Sequence, residues 1–250
     1  MSKPSSAVVV ENLVKRYEDV TALDDLSLQV QEGELYGMLG PNGAGKTTTI
    51  NILAGLTRPT AGSARVGGYD VVKEAKRVRE IIGVCPQDTA VYDYLTGREN
   101  VELFGSLHGM QPSEIKSKAE ELLAAVGFEE DADRRVGKYS GGMRRRINLV
   151  MALVHDPKIV FLDEPTVAMD PQSRHAVWDF LLELGRTERT VVLTTHYMEE
   201  AEALCGTVGI IDNGKLIASG SPRELKEKHE ARNLEEVFLD LTGRKIREAV

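Results

Sequence analysis

The stretch Gly40-Pro41-Asn42-Gly43-Ala44-Gly45-Lys46-Thr47-Thr48 has the residue types and spacing that hold a polyphosphate. It fits G-x-x-x-x-G-K-[ST], and each part has a physical task. The glycines let the backbone turn tightly and aim N–H groups inward. A helix opening at Lys46 would add the partial positive charge of its N-terminus. The Lys46 ammonium can reach the β- and γ-phosphates, and the Thr47 hydroxyl can ligate Mg²⁺. A dinucleotide fingerprint is excluded here, because the segment contains no G-x-G-x-x-G. Further along, Ile159-Val160-Phe161-Leu162 is followed by Asp163 and Glu164. A buried strand there would deliver both acids to the carboxyl edge of a sheet, where ligands bind in such folds. Asp163 would hold Mg²⁺ through water. Glu164, one residue on, could polarise a water for in-line attack on the γ-phosphate. Alone, such an acidic pair reads as capping or turn chemistry. The phosphate loop upstream favours the catalytic reading.

A second anion site lies in residues 136–150, VGKYSGGMRRRINLV. Ser140-Gly141-Gly142 precedes a helical pattern, and a hydroxyl with bare N–H groups at a helix start attracts phosphate. Two phosphate sites in one chain raise the question of whose phosphate the second one holds.

These residues need elements to position them. Residues 7–70 mix β-branched and alternating strand patterns with the first strand–loop–helix unit, its helix closing at Gly55. Residues 98–109, 113–126 and 142–153 have helical periodicity, so 88–155 is expected to be a helical lobe inserted in an α/β core. The core resumes at KIVFLDEP. A helix at 172–184, the strand TVVLTTH and the helix MEEAEALC follow. Alternation of strand and helix favours a mostly parallel sheet. Asn213-Gly214 marks a hairpin. The expected organisation is one domain over 1–250. Its α/β core and β layer are 1–87 with 156–220, and a helical tail runs over 221–250. In that tail Leu234, Val237, Phe238 and Leu241 share one helical face, which either packs on the body or meets a second copy.

A net charge of −8 and a pI near 5.3 argue against a general nucleic-acid binder, which carries a basic face. Cys85 and Cys205 are far apart, so no disulfide framework is expected, and Cys85 in IIGVCP reads as a buried, inert thiol. The first residues lack the pattern of a secretion signal. No stretch approaches the roughly 18 apolar residues of a membrane span. The chain is therefore expected to be soluble and cytoplasmic, reaching a membrane only through another chain.

The order of the remaining motifs narrows the reading. CPQD gives Gln87 after an apolar strand, YSGGM gives Ser140 to Gly142, AMDP gives Asp170, and TTHYMEEAE gives His196. Together with the loop and the acid pair, they resemble the ATP-binding cassette (ABC) ATPase family over residues 8–220. That resemblance implies a P-loop NTPase core with an N-terminal antiparallel β layer and an inserted helical lobe. It also implies roles. Residues 40–48 would be the Walker A loop, Asp163 the Walker B aspartate and Glu164 the catalytic carboxylate. Gln87 would touch Mg²⁺ and the attacking water, and His196 the γ-phosphate. Asp170 would act across a dimer interface. Tyr17 would stack on adenine, and Ser140-Gly141-Gly142 would be the signature that closes on the partner's ATP. By themselves Tyr17 reads as a half-buried strand residue, Gln87 as a turn cap and His196 as a core histidine. His108, His155, His175 and His229 match no motif, and Arg144-Arg145-Arg146 reads as a solvated helix face. Two positions depart from the family's commonest pattern. Met143 stands where glutamine is frequent, so that residue's role does not transfer. Met169 replaces a frequent leucine, a volume-conserving change.

The phrases DRRVGKYSGGMRRR, TTHYMEEAE and LEEVFLDLTGR are similar to ATPase subunits of ABC-2-type exporters, including drug-resistance and lipid-export branches. This implies a homodimer, or a heterodimer with a related ATPase, bound beneath a separately encoded membrane permease. The docking surface is expected near residues 87–104, where Tyr92, Tyr94 and Leu95 either face the permease or pack inside the lobe. A soluble ABC ATPase acting on ribosomes or DNA is the alternative; the single cassette and acidic balance weigh against it. A regulatory module without turnover is a third, weakened by the intact set Lys46, Gln87, Asp163, Glu164 and His196.

Overall fold

Alternating burial sets the first layer of the structure, a computed structural model describing residues 5–243. Strand β1 (Ser6–Tyr17) and strand β2 (Val20–Gln31) pair antiparallel. Val8, Val10 and Leu13 of β1 turn inward with Leu26, Leu28 and Val30 of β2. Side chains two apart share a face of a strand, and a register shift between Val10 and Leu13 returns Leu13 to the inner face. β1 also pairs with the strand Ala61–Val66 (β4), which turns at Gly67-Gly68 into the short strand Tyr69–Asp70 (β5). The layer order is β2-β1-β4-β5.

The second sheet contains β3 (Leu35–Leu39), β6 (Ile82–Cys85), β7 (Ile159–Asp163), β8 (Thr190–Thr195), β9 (Thr207–Asp212) and β10 (Lys215–Gly220). Its order is β10-β9-β3-β8-β7-β6. Neighbours from β9 to β6 run parallel, and β10 returns antiparallel through the expected Asn213-Gly214 turn. β3, β7 and β8 are buried at every position, as strands covered on both faces must be.

The helices are α1 (Lys46–Leu53), α2 (Ala75–Ile81), α3 (Gly97–Leu107), α4 (Pro112–Ala125), α5 (Gly141–Leu153), α6 (Pro171–Gly185), α7 (Met198–Leu204), α8 (Pro222–Lys228) and α9 (Leu234–Thr242). α2 has no counterpart in the sequence reading. It is a short helix of about two turns that buries only Val78, too little apolar periodicity to detect. Two cores flank the parallel sheet. Tyr36, Met38, Phe161 and Val192 point toward the antiparallel layer and α1. Leu35, Leu39, Val160, Leu162 and Leu193 point the other way, toward α5, α6 and α7. Each large apolar side chain buried in this way contributes about 1.5–3 kcal/mol.

The tail folds as two helices. Leu234, Val237 and Phe238 of α9 are buried, and Leu241 packs beside them, so the body covers that apolar face. The part of the expected tail beyond residue 243 lies outside the described residues. Among the described residues, no helix is long and apolar enough to cross a membrane.

Candidate active site

The Gly40–Thr48 loop joins the carboxyl end of β3 to α1, at the centre of the parallel sheet. Gly40 N–H donates to the Thr195 carbonyl (3.3 Å), which seats the loop against β8. A Cβ at Gly40 would run into the Ile211 carbonyl of β9. Gly45 has φ +104°, and a Cβ there would lie 2.6 Å from the Ala22 carbonyl. Neither position tolerates a side chain, so the spacing of the motif is enforced by neighbouring strands as well as by the turn itself.

Lys46 is 4% exposed, and its ammonium donates to the carbonyls of Gly40 (2.7 Å) and Pro41 (3.0 Å). It lies 3.7 Å from Glu164 Oε1. Burial pulls the Lys46 pKa below its usual range, and the Glu164 and Asp163 carboxylates partly offset that pull.

Glu164 is the point of convergence. Gln87 Nε2 donates to its Oε2 (3.3 Å), and His196 Nδ1 to its Oε1 (2.9 Å). Burial would raise the Glu164 pKa. The His196 hydrogen bond, with the charges of His196, Lys46 and Arg145, outweighs burial and holds it below the usual carboxylate range. Four side chains thus meet from four places: the start of α1, the residues after β6, the end of β7 and the end of β8. Glu164 has φ +50°, a backbone conformation that ordinary side chains seldom adopt. Its N–H is held by the Thr194 hydroxyl (2.9 Å) and the Thr194 carbonyl (3.2 Å). Such conformations persist where the surroundings over-determine them, and they gather at functional sites.

Asp163 is 2% exposed, and its Oδ1 accepts from the Thr194 hydroxyl. One threonine therefore fixes both acids. The sequence reading missed Thr194; it is one of three threonines in the run TVVLTT, and nothing in the sequence singles it out from Thr190 and Thr195. Thr47 is exposed at the first turn of α1, Thr48 half-buried and Ala44 buried, while Pro41, Asn42 and Gly43 form the outer rim of the loop. Hydroxyl, carboxylate and amide oxygens are the hard donors that Mg²⁺ accepts, so Thr47, Asp163 and Gln87 suit that ion.

The other expected site residues stand apart from this cluster. Ser140 and Gly141 are exposed. The Ser140 hydroxyl accepts from Met143 N–H (3.3 Å) as the N-cap of α5. A Cβ at Gly141 would meet nothing within 4 Å, and one at Gly142 would approach only Met169 Cγ at 3.6 Å. Asp170 caps α6 by accepting from Ser173 N–H (3.0 Å). Tyr17 is 44% exposed at the end of β1, with Lys15 Nζ 4.6 Å from its ring centroid. Among the described residues, no hydrogen bond or ion pair links Ser140–Gly142, Asp170 or Tyr17 to Lys46, Asp163 or Glu164. Tyr92 and Tyr94 are exposed, at 55% and 88%, which rules out packing inside the lobe for these two.

The three arginines correct the solvated-face expectation. Arg144 pairs with Asp93 (2.5 Å), and the Arg146 guanidinium lies 5.1 Å from the Phe128 ring. Arg145 is buried, with its guanidinium against backbone carbonyls at the ends of β6 and β7. Consecutive helical residues point about 100° apart. Because α5 is packed between the other lobe helices and the sheet, it has no solvated stripe for the run to occupy. Met143, which the family pattern left unexplained, packs on the lobe core, and its sulfur lies 3.2 Å from Arg134 Nη2. Cys85 is fully buried, and burial pushes its thiol pKa up, as expected of an inert cysteine.

Comparisons with known proteins identify the family. The model of the ABC transporter family matches residues 23–167. The doxorubicin resistance ATP-binding protein DrrA of Mycobacterium tuberculosis is 48% identical over 230 residues, covering 91% of this chain and 70% of that protein. A Nod factor export ATP-binding protein I of Ralstonia nicotianae is 44% identical, covering 86% of this chain and 67% of the other. Among solved structures, a dimeric ATP-binding cassette in a post-hydrolysis state bound to ADP and Pi superposes with a TM-score of 0.79. It is 28% identical and covers 86% of this chain and 98% of its own.

Proposed function

The chain belongs to the ABC transporter family of ATP-binding proteins, and on that premise we propose that it is the ATP-hydrolysing subunit of an exporter. The observation that carries the hydrolytic reading is the convergence of Lys46, Gln87 and His196 on Glu164. A carboxylate held ionised, buried and hydrogen-bonded on both oxygens is suited to orient and polarise a water.

In this reading the Gly40–Thr48 backbone and Lys46 hold the β- and γ-phosphates. Lys46 would exchange its contacts with the Gly40 and Pro41 carbonyls for phosphate oxygens. Thr47, Asp163 and Gln87 would hold Mg²⁺, which when bound neutralises charge on the phosphates. His196 orients Glu164 and reaches toward the γ-phosphate. Tyr17, exposed at the end of its strand, stacks on adenine. Ser140-Gly141-Gly142 faces outward from the start of α5 and engages the ATP of a second copy, with Asp170 at the same interface. A similar cassette that is dimeric and bound to ADP and Pi supports an assembly of two copies. To close such a dimer decisively, ATP must favour the closed state by a few kcal/mol.

Residues 88–155 would form the lobe that moves against the core, and exposed Tyr92 and Tyr94 would face a separately encoded permease at the cytoplasmic side of a membrane. The export assignment is supported by the relatives named for drug resistance and for Nod factor export. Glu164→Gln tests the hydrolytic reading. The variant is expected to bind ATP, lose turnover and accumulate an ATP-bound dimer on sizing chromatography. Hydrolysis at the parental rate would refute the role of Glu164.

A further inference from the structure

Arg145 lies five residues after Ser140, on α5, and is 3% exposed. A guanidinium is always charged and carries five N–H donors in a rigid planar fork. Here the fork is fully used. Nη1 donates to the carbonyls of Pro86 (2.5 Å) and Gln87 (2.7 Å). Nη2 donates to the carbonyls of Glu164 (2.7 Å) and Asp163, and Nε to that of Pro165 (3.3 Å). Among the described residues, no carboxylate stands within ion-pair distance of this charge, so backbone dipoles alone surround it closely. Lysine could not reproduce the fork, and an apolar side chain would leave buried carbonyls without donors.

The positions of those carbonyls matter more than their number. Gln87 and Glu164 are the residues whose side chains meet at 3.3 Å. One guanidinium therefore bridges the two backbones that carry them, just beyond the last paired residues of β6 and β7, Cys85 and Leu162. α5 grips the Gln87 segment by other side chains as well. Asn148, one turn on and equally buried, bonds Cys85 Sγ (3.2 Å) and accepts from Ala90 N–H (3.2 Å), and Arg144 pairs with Asp93. Among the described residues, the side-chain hydrogen bonds from α5 to residues 163–165, by contrast, all come from Arg145. A rigid-body shift of α5 thus reaches Glu164 through this residue. The same helix presents Ser140–Gly142 at its N-terminus, little more than one turn before Arg145.

We propose that Arg145 is a positioning residue that holds Gln87 and Glu164 in register for hydrolysis and ties that register to the seat of α5. The inference rests on the hydrolytic reading above. It goes beyond that reading by assigning the link between the outward-facing end of α5 and the carboxylate.

The test compares Arg145→Gln and Arg145→Lys with the parental chain. Misplacing a reacting group by about 1 Å costs on the order of a hundredfold in rate. Arg145→Gln is expected to lose kcat on that scale, while KM for Mg-ATP and the Kd for a fluorescent ATP analogue without Mg²⁺ stay near parental. ATP-dependent dimerisation in the Glu164→Gln background should persist. Arg145→Lys, which keeps the charge and part of the donor set, is expected to recover a fraction of kcat. Should Arg145→Gln fail to fold, the decision passes to Arg145→Lys alone. Parental kcat in a folded variant would overturn the proposal. So would a fall in kcat matched by equal losses in nucleotide affinity and melting temperature, since that pattern marks a general structural role. A parental chain that hydrolyses no ATP would instead defeat the hydrolytic reading, and the proposal with it.

Discussion

The two regions proposed to bind phosphate differ in how much of the site each one contains. Around Glu164, side chains from four elements are already within hydrogen-bonding or ion-pair range, and Lys46, Asp163 and Glu164 are each less than a tenth exposed. Around Ser140 the hydroxyl is exposed and caps its own helix, and a Cβ at Gly141 would enter open space. The first region is organised by one chain; the second is a surface. A buried cluster of like and opposite charges can be held only by a complete surrounding network, because unpaired buried charge is costly. An exposed helix N-terminus has no such requirement and can wait for a phosphate carried by another molecule.

This contrast can be broken by substitution, and the effects should scale with how each residue enters the chemistry. Glu164→Gln should have the largest effect, a loss of about 10²–10⁴-fold in turnover with ATP binding retained, read by phosphate release. Ser140→Arg comes next. It should lower turnover by about a hundredfold through lost alignment and abolish ATP-dependent dimerisation, while binding of a fluorescent ATP analogue persists. A tight ATP dimer of Ser140→Arg would show that the outward region is not an assembly surface. Lys46→Ala should instead act inside one chain. Losing a charge-assisted contact worth about 1.5–3 kcal/mol should weaken ATP affinity by roughly ten- to a hundredfold, measurable by titration calorimetry. Tyr17→Ala is expected to be the mildest, since base stacking is worth about 1 kcal/mol at its lower end. Its ATP affinity should drop about fivefold, with the drop absent for a nucleotide-free triphosphate.

Much of this arrangement was legible beforehand. The strand before Asp163 was readable because a four-residue apolar run followed by two acids suits a buried parallel strand. The loop was readable because glycine spacing and a lysine at a helix start have few other uses. The helices α3, α4, α5 and α6 were placed to within a few residues, because their apolar periodicity spans several turns. The short helix α2 offered no such span.

Arg144-Arg145-Arg146 was misread for a different reason. Composition predicts a solvated stripe, but burial of a helix face depends on what packs against it, and α5 lies between the lobe and the sheet. The i, i+3 pairing of Arg145 with Asn148 was present in the chain, yet only the neighbouring ends of β6 and β7 turn it into a grip on the backbone.

By itself, then, the sequence determined the elements, the phosphate loop, the acid pair and the order of the motifs, because these depend on local periodicity, turn chemistry and spacing along the chain. The tertiary structure decided which side chains touch: that His196 and Gln87 both bond Glu164, that Thr194 fixes both acids, that α9 hides its apolar face, and that Arg145 is buried. The physical reason is that hydrogen bonds and charge burial act over a few ångströms in space. Residues 77 positions apart, such as Gln87 and Glu164, become neighbours only when the parallel sheet brings β6 beside β7.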